Sequence, residues 1–145
     1  KIIVNSPEET IAAGEKIGRL LKKGDMIAYK GGLGAGKTTF TRGIAIGMGI
    51  GDVVSSPTFA LVNEYHGTGM NLYHFDMYRI DSEEGMESAG FYDYPFDENA
   101  AVIEWSENIS AFLPRNTIYI TIERTGENER EITIEGGERF ASAWD

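Results

Sequence analysis

Residues 31–38, Gly31-Gly32-Leu33-Gly34-Ala35-Gly36-Lys37-Thr38, decide the fold of this chain. Their spacing, a glycine followed by four residues and then Gly-Lys-Thr, is that of a phosphate-binding loop. The apolar run 26–29 before the loop is typical of a short buried strand, and residues 38–45 after it are typical of a helix. A strand and a helix on either side are the context in which such a loop holds phosphate groups. The sequence therefore predicts an α/β domain that binds a nucleoside triphosphate.

The positions of this loop have distinct expected roles. Glycines let backbone amides turn toward phosphate oxygens, and the N-terminus of the following helix adds partial positive charge. Lys37 supplies a compact cation for the β- and γ-phosphates, and Thr38 offers a hydroxyl to Mg²⁺. The residues of the loop that we expect to contact the nucleoside triphosphate are Gly32, Leu33, Gly34, Ala35, Gly36, Lys37, Thr38 and Thr39.

The composition is ordinary for a globular protein, with 41% hydrophobic and 25% charged residues among 145. This length favours one domain over residues 1–145. No stretch approaches the roughly 18 apolar residues of a membrane span, and the apolar run within residues 1–5 is too short for a signal peptide. Cysteine, which disulfides and thiolate metal sites require, is absent from the sequence. We expect a cytoplasmic protein with no membrane partner.

The net charge of −10, from 13 basic and 23 acidic residues, bears on the class of partner. Proteins that bind nucleic acid unaided normally present a basic face, because neutralising phosphates supplies most of the affinity. The basic cluster outside the loop lies on the first predicted helix and consists of Lys16, Arg19, Lys22 and Lys23. We interpret it as a solvated helix face, and the acidic balance disfavours direct, independent binding of RNA or DNA.

Two features of residues 6–21 predict the first helix: capping residues at its start and apolar residues that recur on one helical face. Ser6 is a typical N-cap, Pro7 suits the first helical position, and Glu9 completes a capping box. Apolar and small residues then recur on a single face, namely Ile11, Gly14, Ile17, Gly18 and Leu21. We expect the two glycines of this face to permit close packing against a sheet.

The remaining strands complete the fold prediction. Residues 100–103 are an apolar run typical of a central parallel strand. Residues 59–65 and 70–75 are typical of a hairpin, and alternating isoleucines at 118, 120 and 122 begin a second one. These elements predict a P-loop NTPase-like three-layer α/β fold. Its mixed sheet would be parallel at the centre and antiparallel at the flanks.

Two acidic residues follow apolar strands, Asp76 after residues 72–75 and Glu104 after residues 101–103. Triphosphate hydrolysis uses a carboxylate that helps hold Mg²⁺ and a group that positions the attacking water. We assign Asp76 to Mg²⁺ and Glu104 to Mg²⁺ or to the water, and we expect both to be catalytic together with Lys37. His74, which alternates with aromatic residues on the same strand, is expected to be structural.

Four further residues have more than one interpretation. Thr58 lies in a segment without helix or strand pattern, where it forms either a plain turn or a hydroxyl that senses the γ-phosphate. Trp105 is either a core aromatic or a neighbour of the nucleotide. Arg42 and Arg79 are candidates for contact with phosphate or with a partner protein. We count Thr58 and Trp105 among the nucleotide-binding residues.

Four blocks of sequence, in this order, resemble the TsaE family, the small P-loop ATPase subunit of bacterial tRNA threonylcarbamoyladenosine synthesis. The blocks are residues 31–39, Ser56-Pro57-Thr58-Phe59, Tyr73-His74-Phe75-Asp76-Met77-Tyr78-Arg79 and Val102-Ile103-Glu104-Trp105. The first block is generic among P-loop proteins, whereas the other three together are specific. One departure is Gly32, where the family usually has an acidic residue. Without this negative charge beside the phosphates, the strength of Mg²⁺ binding and the rate of turnover are expected to differ from those of relatives, while nucleotide binding itself is retained.

The resemblance implies a function inside an assembly. A relative of this kind would hydrolyse ATP in a complex with two partner proteins, TsaD- and TsaB-like, one of which is the threonylcarbamoyl transferase. The same resemblance implies that Thr38, Asp76 and Glu104 serve Mg²⁺ and hydrolysis, and that residues 56–58 and 76–79 act as switch regions. It places Trp105 near the site.

Three other functions compete with this prediction. A small-molecule kinase would need an arginine-rich segment to clamp its acceptor, and the chain has no such segment. A GTPase would need an Asn-Lys-x-Asp motif, which the sequence lacks. A nucleotide-gated binding module with negligible hydrolysis stays open. Without an obvious arginine finger, which is worth about 10³–10⁵ in rate where it is used, we expect slow turnover by the chain alone.

Overall fold

A computed structural model describes residues 1–31, 36–51, 54, 62–107, 109–140 and 142–144. Within these residues the strands are β1 Ile2–Val4, β2 Met26–Lys30, β3 Val62–Tyr65, β4 Leu72–Asp76, β5 Ala100–Glu104, β6 Ile118–Arg124 and β7 Arg130–Glu135. The α-helices are α1 Pro7–Leu20, α2 Lys37–Gly47 and α3 Glu83–Ser88. Short 3₁₀ helices lie at Phe91–Asp93, Phe96–Glu98, Ser110–Phe112 and Glu138–Phe140.

The strands form one sheet in the order β1-β7-β6-β2-β5-β4-β3. Its centre is parallel, because β2 pairs in parallel with β5 and β6, and β4 pairs in parallel with β5. Its flanks are antiparallel, through β3 with β4 on one side and β6 with β7 and β1 on the other. The predicted mixed sheet is therefore confirmed.

Alternating side chains of the central strands divide the core between the two faces of the sheet. Ile27 and Tyr29 pack with α1 and α2, whereas Met26 and Ala28 pack with α3 and the 3₁₀ helices. Strand β5 is buried along its whole length, as expected for a strand covered on both faces. These two cores on either side of the sheet make the predicted three layers.

Helices α1 and α2 approach each other through glycines. A Cβ placed on Gly14 would lie 2.3 Å from the carbonyl oxygen of Phe40, and one on Gly43 would lie 2.2 Å from that of Ile11. Gly18 faces Ile44 of α2 in the same way. The prediction that the glycines of α1 pack against a sheet is therefore wrong, since their close neighbour is the helix that follows the loop.

Helix α1 is stabilised by an N-cap at its start and by contacts with the C-terminal segment of the chain. The Ser6 hydroxyl accepts a hydrogen bond from the amide of Glu9 at 3.1 Å, which confirms the predicted N-cap. Trp144 donates from Nε1 to the carbonyl oxygen of Ala13 at 3.0 Å and packs edge-on to Phe40. Among the described residues, no helix has the length and apolar character needed to cross a bilayer.

Candidate active site at the carboxyl edge of the sheet

The carboxyl ends of the parallel strands bring the predicted site residues to one edge. In the β4–β5 ladder Asp76 is the register partner of Glu104, so both carboxylates leave the sheet at the same level. They lie on the sheet face of Leu72 and Val102, which is the face covered by α2. Because β2 lies next to β5 and α2 follows it, Lys37 at the start of α2 belongs to the same edge.

Lys37 is held inside the protein, with 6% of its surface exposed. Its Nζ donates to the carbonyl oxygen of Gly31 at 3.2 Å and lies 4.9 Å from the centre of the Trp105 ring. A buried ammonium group requires such partners, because loss of water is otherwise costly. The carbonyl and the ring therefore hold a positive charge in place at the helix start.

Trp105 departs from ordinary backbone geometry. Its φ of 59° is left-handed, and among the described residues it is the sole non-glycine residue with a positive φ. Such a conformation costs about 1–3 kcal/mol and clusters at functional sites. The half-buried ring contacts both Lys37 and the exposed ring of Tyr78, whose centroid lies 5.0 Å away. Trp105 is thus an edge residue of the site and not a core aromatic.

Glu104 forms a hydrogen bond with His74, a residue whose sequence pattern predicts a structural role. The Nε2 atom of His74 lies 2.5 Å from Oε2 of Glu104, and both side chains are buried. The signal that could have revealed the pair is the His-x-Asp alternation of β4. It places His74 on the same sheet face as Asp76, and hence as Glu104.

Asp76 is held differently. Its Oδ1 accepts a hydrogen bond from the backbone N–H of Tyr78 at 2.9 Å, so the carboxylate also caps the turn that follows β4. The side chain is only partly buried, in contrast to Glu104. The two predicted acids therefore lie at one level of the sheet in different surroundings, one open and one enclosed.

A buried chain of hydroxyls supports the first turn of α2. Thr41 donates from Oγ1 to the carbonyl oxygen of Lys37 at 2.8 Å, so the Tyr29 hydroxyl at 2.7 Å must donate to Thr41. Burial raises the pKa of Tyr29 well above its ordinary value, which keeps this donor neutral. Strand β2 is thereby connected to the residue that carries the site's buried cation.

The structure places the other predicted residues as follows. Gly36 precedes α2 with a left-handed φ of 101°, and Thr38 and Thr39 lie half-buried in the first turn of that helix. Arg42 donates from Nε to the carbonyl oxygen of Val54 at 3.3 Å, and Arg79 is exposed after β4. Outside the described residues lie the predicted ATP contacts Gly32, Leu33, Gly34, Ala35 and Thr58.

Comparisons with known proteins agree on one family. The family model described as threonylcarbamoyl adenosine biosynthesis protein TsaE matches residues 4–132. A TsaE protein of Bacillus subtilis is 42% identical over 89% of this chain and 80% of its own length. A TsaE protein of Treponema pallidum is 37% identical over 92% of this chain and 98% of its own length.

A solved structure gives the same result for the fold. The crystal structure of Bacillus subtilis YdiB superposes with a TM-score of 0.76 at 34% identity, and it covers 98% of this chain and 88% of the other. Sequence and structure thus point to the same relatives. The chain belongs to the TsaE family of proteins of tRNA threonylcarbamoyladenosine biosynthesis.

Proposed function

We propose that this chain binds ATP with Mg²⁺ at the carboxyl edge of β2, β4 and β5 and hydrolyses it. One observation carries the proposal. In a member of the TsaE family, the buried Lys37 at the start of α2 shares a sheet edge with the register pair of Asp76 and Glu104. A fixed cation and two carboxylates are the groups that bind a triphosphate and its metal.

The residues present fit these ligands. Phosphate oxygens suit the N-terminus of α2, whose first amides lack partners within the helix, and the ammonium group of Lys37. The hard oxygen donors that Mg²⁺ prefers are offered by Thr38, Asp76 and Glu104. When bound, Mg²⁺ would neutralise charge on the phosphate oxygens. Lys37 would exchange its carbonyl partner for phosphate.

The two acids are suited to different parts of hydrolysis. Asp76 is partly exposed, so its carboxylate can exchange water and approach a hydrated ion. Glu104 is enclosed and held by His74, which suits a group that orients an attacking water. We therefore assign the metal chiefly to Asp76 and Thr38, and the water to Glu104.

The partners are the second part of the proposal. We propose that the chain acts in a complex with two proteins of the tRNA threonylcarbamoyl transferase, TsaD- and TsaB-like, and contacts tRNA only through them. The net charge of −10 supports an indirect contact, since a phosphate backbone repels an acidic surface. Of the four cations of the predicted first helix, Lys22 and Lys23 follow the end of α1, and Arg19 is already paired with Glu15 at 2.9 Å.

The test is the rate of phosphate release from ATP by the purified chain, alone and with the two partner proteins. We expect a slow basal rate that requires Mg²⁺ and increases when both partners are present. A rate that depends on a small-molecule phosphate acceptor would instead make the chain a kinase. ATP binding with no hydrolysis under any of these conditions would make it a nucleotide-gated binding module, and either result would contradict the proposal.

A further inference from the structure

His74 is a buried polar residue that enters the proposed function only as the hydrogen-bond partner of Glu104. We propose that His74 is the positioning residue of the Glu104 carboxylate: its Nε2–H holds Oε2, so that Oε1 is presented to the attacking water. This inference rests on the proposed ATP hydrolysis. It adds a member to the site that acts through Glu104 and does not itself touch the nucleotide.

The first support is that neither partner of this hydrogen bond can move freely. His74 is 0% exposed and lies on β4, and Glu104 is 7% exposed and ends β5. The ladder between these strands pairs Asp76 with Glu104, so the separation of the two backbones is fixed. The ring of Tyr65, from β3, packs against the imidazole with 6.4 Å between centroids. The 2.5 Å contact is therefore built into the sheet.

The second support is the position of the imidazole proton. An ionised carboxylate only accepts hydrogen bonds, so Nε2 of His74 has to be the donor. Nδ1 is buried and has no hydrogen-bond partner among the described residues. A proton on Nδ1 would leave a buried N–H unpaired and place two acceptors 2.5 Å apart. The surroundings thus place a proton on Nε2, which is donated to Glu104.

The consequence is a carboxylate with one engaged and one available oxygen. Glu104 uses Oε2 for His74, and within the described part of the chain Oε1 has no hydrogen-bond partner. Fixing the rotamer removes conformational freedom that would otherwise be lost during reaction. Residues that orient a reacting or ligating group in this way typically contribute about 10- to 100-fold in activity.

The kinetic test compares two substitutions at this position. His74→Leu removes the donor but keeps an apolar side chain in the core, whereas His74→Gln keeps an N–H near the place of Nε2. We expect His74→Leu to lower kcat for ATP hydrolysis by about 10- to 100-fold, with the KM for ATP changed by less than about threefold. His74→Gln should recover most of that loss. Thermal unfolding of both variants controls for folding.

Coupling to Glu104 separates positioning from a general structural role. In a Glu104→Gln background, His74→Leu should produce little further loss of kcat, because the group on which His74 acts is already absent. Equal losses in both backgrounds would overturn the inference, as would a folded His74→Leu protein with wild-type kcat. Wild-type protein without any ATP hydrolysis would overturn the proposed function as well.

A measurement without nucleotide tests the geometry directly. The chain has two histidines, so His66→Gln leaves His74 as the sole imidazole. We expect the nitrogen NMR spectrum of that ring to report a proton on Nε2, and its chemical shift to change when Glu104→Gln is added. A proton on Nδ1, or a ring insensitive to Glu104→Gln, would contradict the inference whether or not the protein hydrolyses ATP.

Discussion

The hairpin of β6 and β7 and the carboxyl edge of β4 and β5 belong to one sheet, but they bury different kinds of side chain. In the hairpin, isoleucines pair across the strands, as Ile122 does with Ile132, and the charged residues lie outside the core. At the carboxyl edge, a histidine, a glutamate and a lysine are buried. One sheet therefore contains a region with an apolar core, which favours stability, and a region that buries polar and charged side chains.

The departures are concentrated where the site lies. Trp105 has a left-handed backbone directly after Glu104, and Nδ1 of His74 is an unpaired buried atom among the described residues. Sequences usually satisfy local rules everywhere except at functional or strained sites. The free-energy cost of burying polar groups is therefore concentrated at the edge proposed to bind ATP, and the apolar hairpin contributes stability.

The largest expected effect is on hydrolysis, from Glu104→Gln. This substitution keeps the shape but removes the carboxylate, so we expect kcat for ATP to fall by about 10²- to 10⁴-fold. ATP affinity should change little, because Lys37 and the start of α2 remain. The exposed Glu123 of the hairpin is the matched control. Its change to Gln should leave kcat unaltered, and equal losses at both positions would remove the distinction between the regions.

The next effect is on stability and concerns the hairpin. Ile132 is 0% exposed, so Ile132→Ala should lower the free energy of unfolding by about 2–5 kcal/mol. Thr133→Ala, on the opposite face of β7, should cost about 1 kcal/mol or less. Denaturant titration measures both values. ATP affinity per folded molecule should stay unchanged, and a tenfold loss of affinity in folded Ile132→Ala would contradict the separation of roles.

An effect of intermediate size is expected on ATP affinity, and two lysines allow it to be compared between the regions. Lys37 is buried at the site, whereas Lys30 ends β2 in a partly exposed position, 4.7 Å from the centre of the Tyr119 ring. We expect Lys37→Ala to weaken ATP binding by about 10- to 100-fold, since a charge-assisted contact with phosphate is lost. Lys30→Ala should weaken it much less. Calorimetric titration of both folded variants with ATP measures these affinities. Equal losses of affinity would contradict the assignment of Lys37 as a phosphate-binding residue.

The smallest effect is expected at the outer flank. Lys1 Nζ lies 3.1 Å from Oε1 of Glu131, with both side chains partly exposed. Glu131→Gln should change the free energy of unfolding by about 1 kcal/mol or less, and added salt should reduce even that difference. Thermal unfolding at low and high salt measures it. A larger loss would mean that the hairpin depends on charge pairs and not on its isoleucines.

What could be predicted from the sequence was mostly local. Ser6 caps α1 because the serine side chain reaches an amide three residues later. The parallel centre was also predicted, because a phosphate-binding loop after a buried strand restricts the topology. Asp76 and Glu104 were found as a pair since the ends of parallel strands meet at one edge.

What could not be predicted depends on contacts between distant residues. His74 and Glu104 are 30 residues apart, and Trp144 bonds to Ala13 across 131 residues. The glycine face of α1 was recognised, but its spacing only says that something approaches closely, and both a sheet and a helix satisfy it. The left-handed backbone of Trp105 has no signal in its residue type, since tryptophan rarely adopts it.

The most direct test of the central claim is a crystal structure with Mg²⁺ and a non-hydrolysable ATP analogue. We expect the triphosphate at the N-terminus of α2, with Nζ of Lys37 moved from the carbonyl oxygen of Gly31 to phosphate. The metal should lie near Thr38 and Asp76, and His74 should still hold Glu104. A triphosphate bound away from this edge, or Lys37 still bound to Gly31 beside an occupied site, would contradict it.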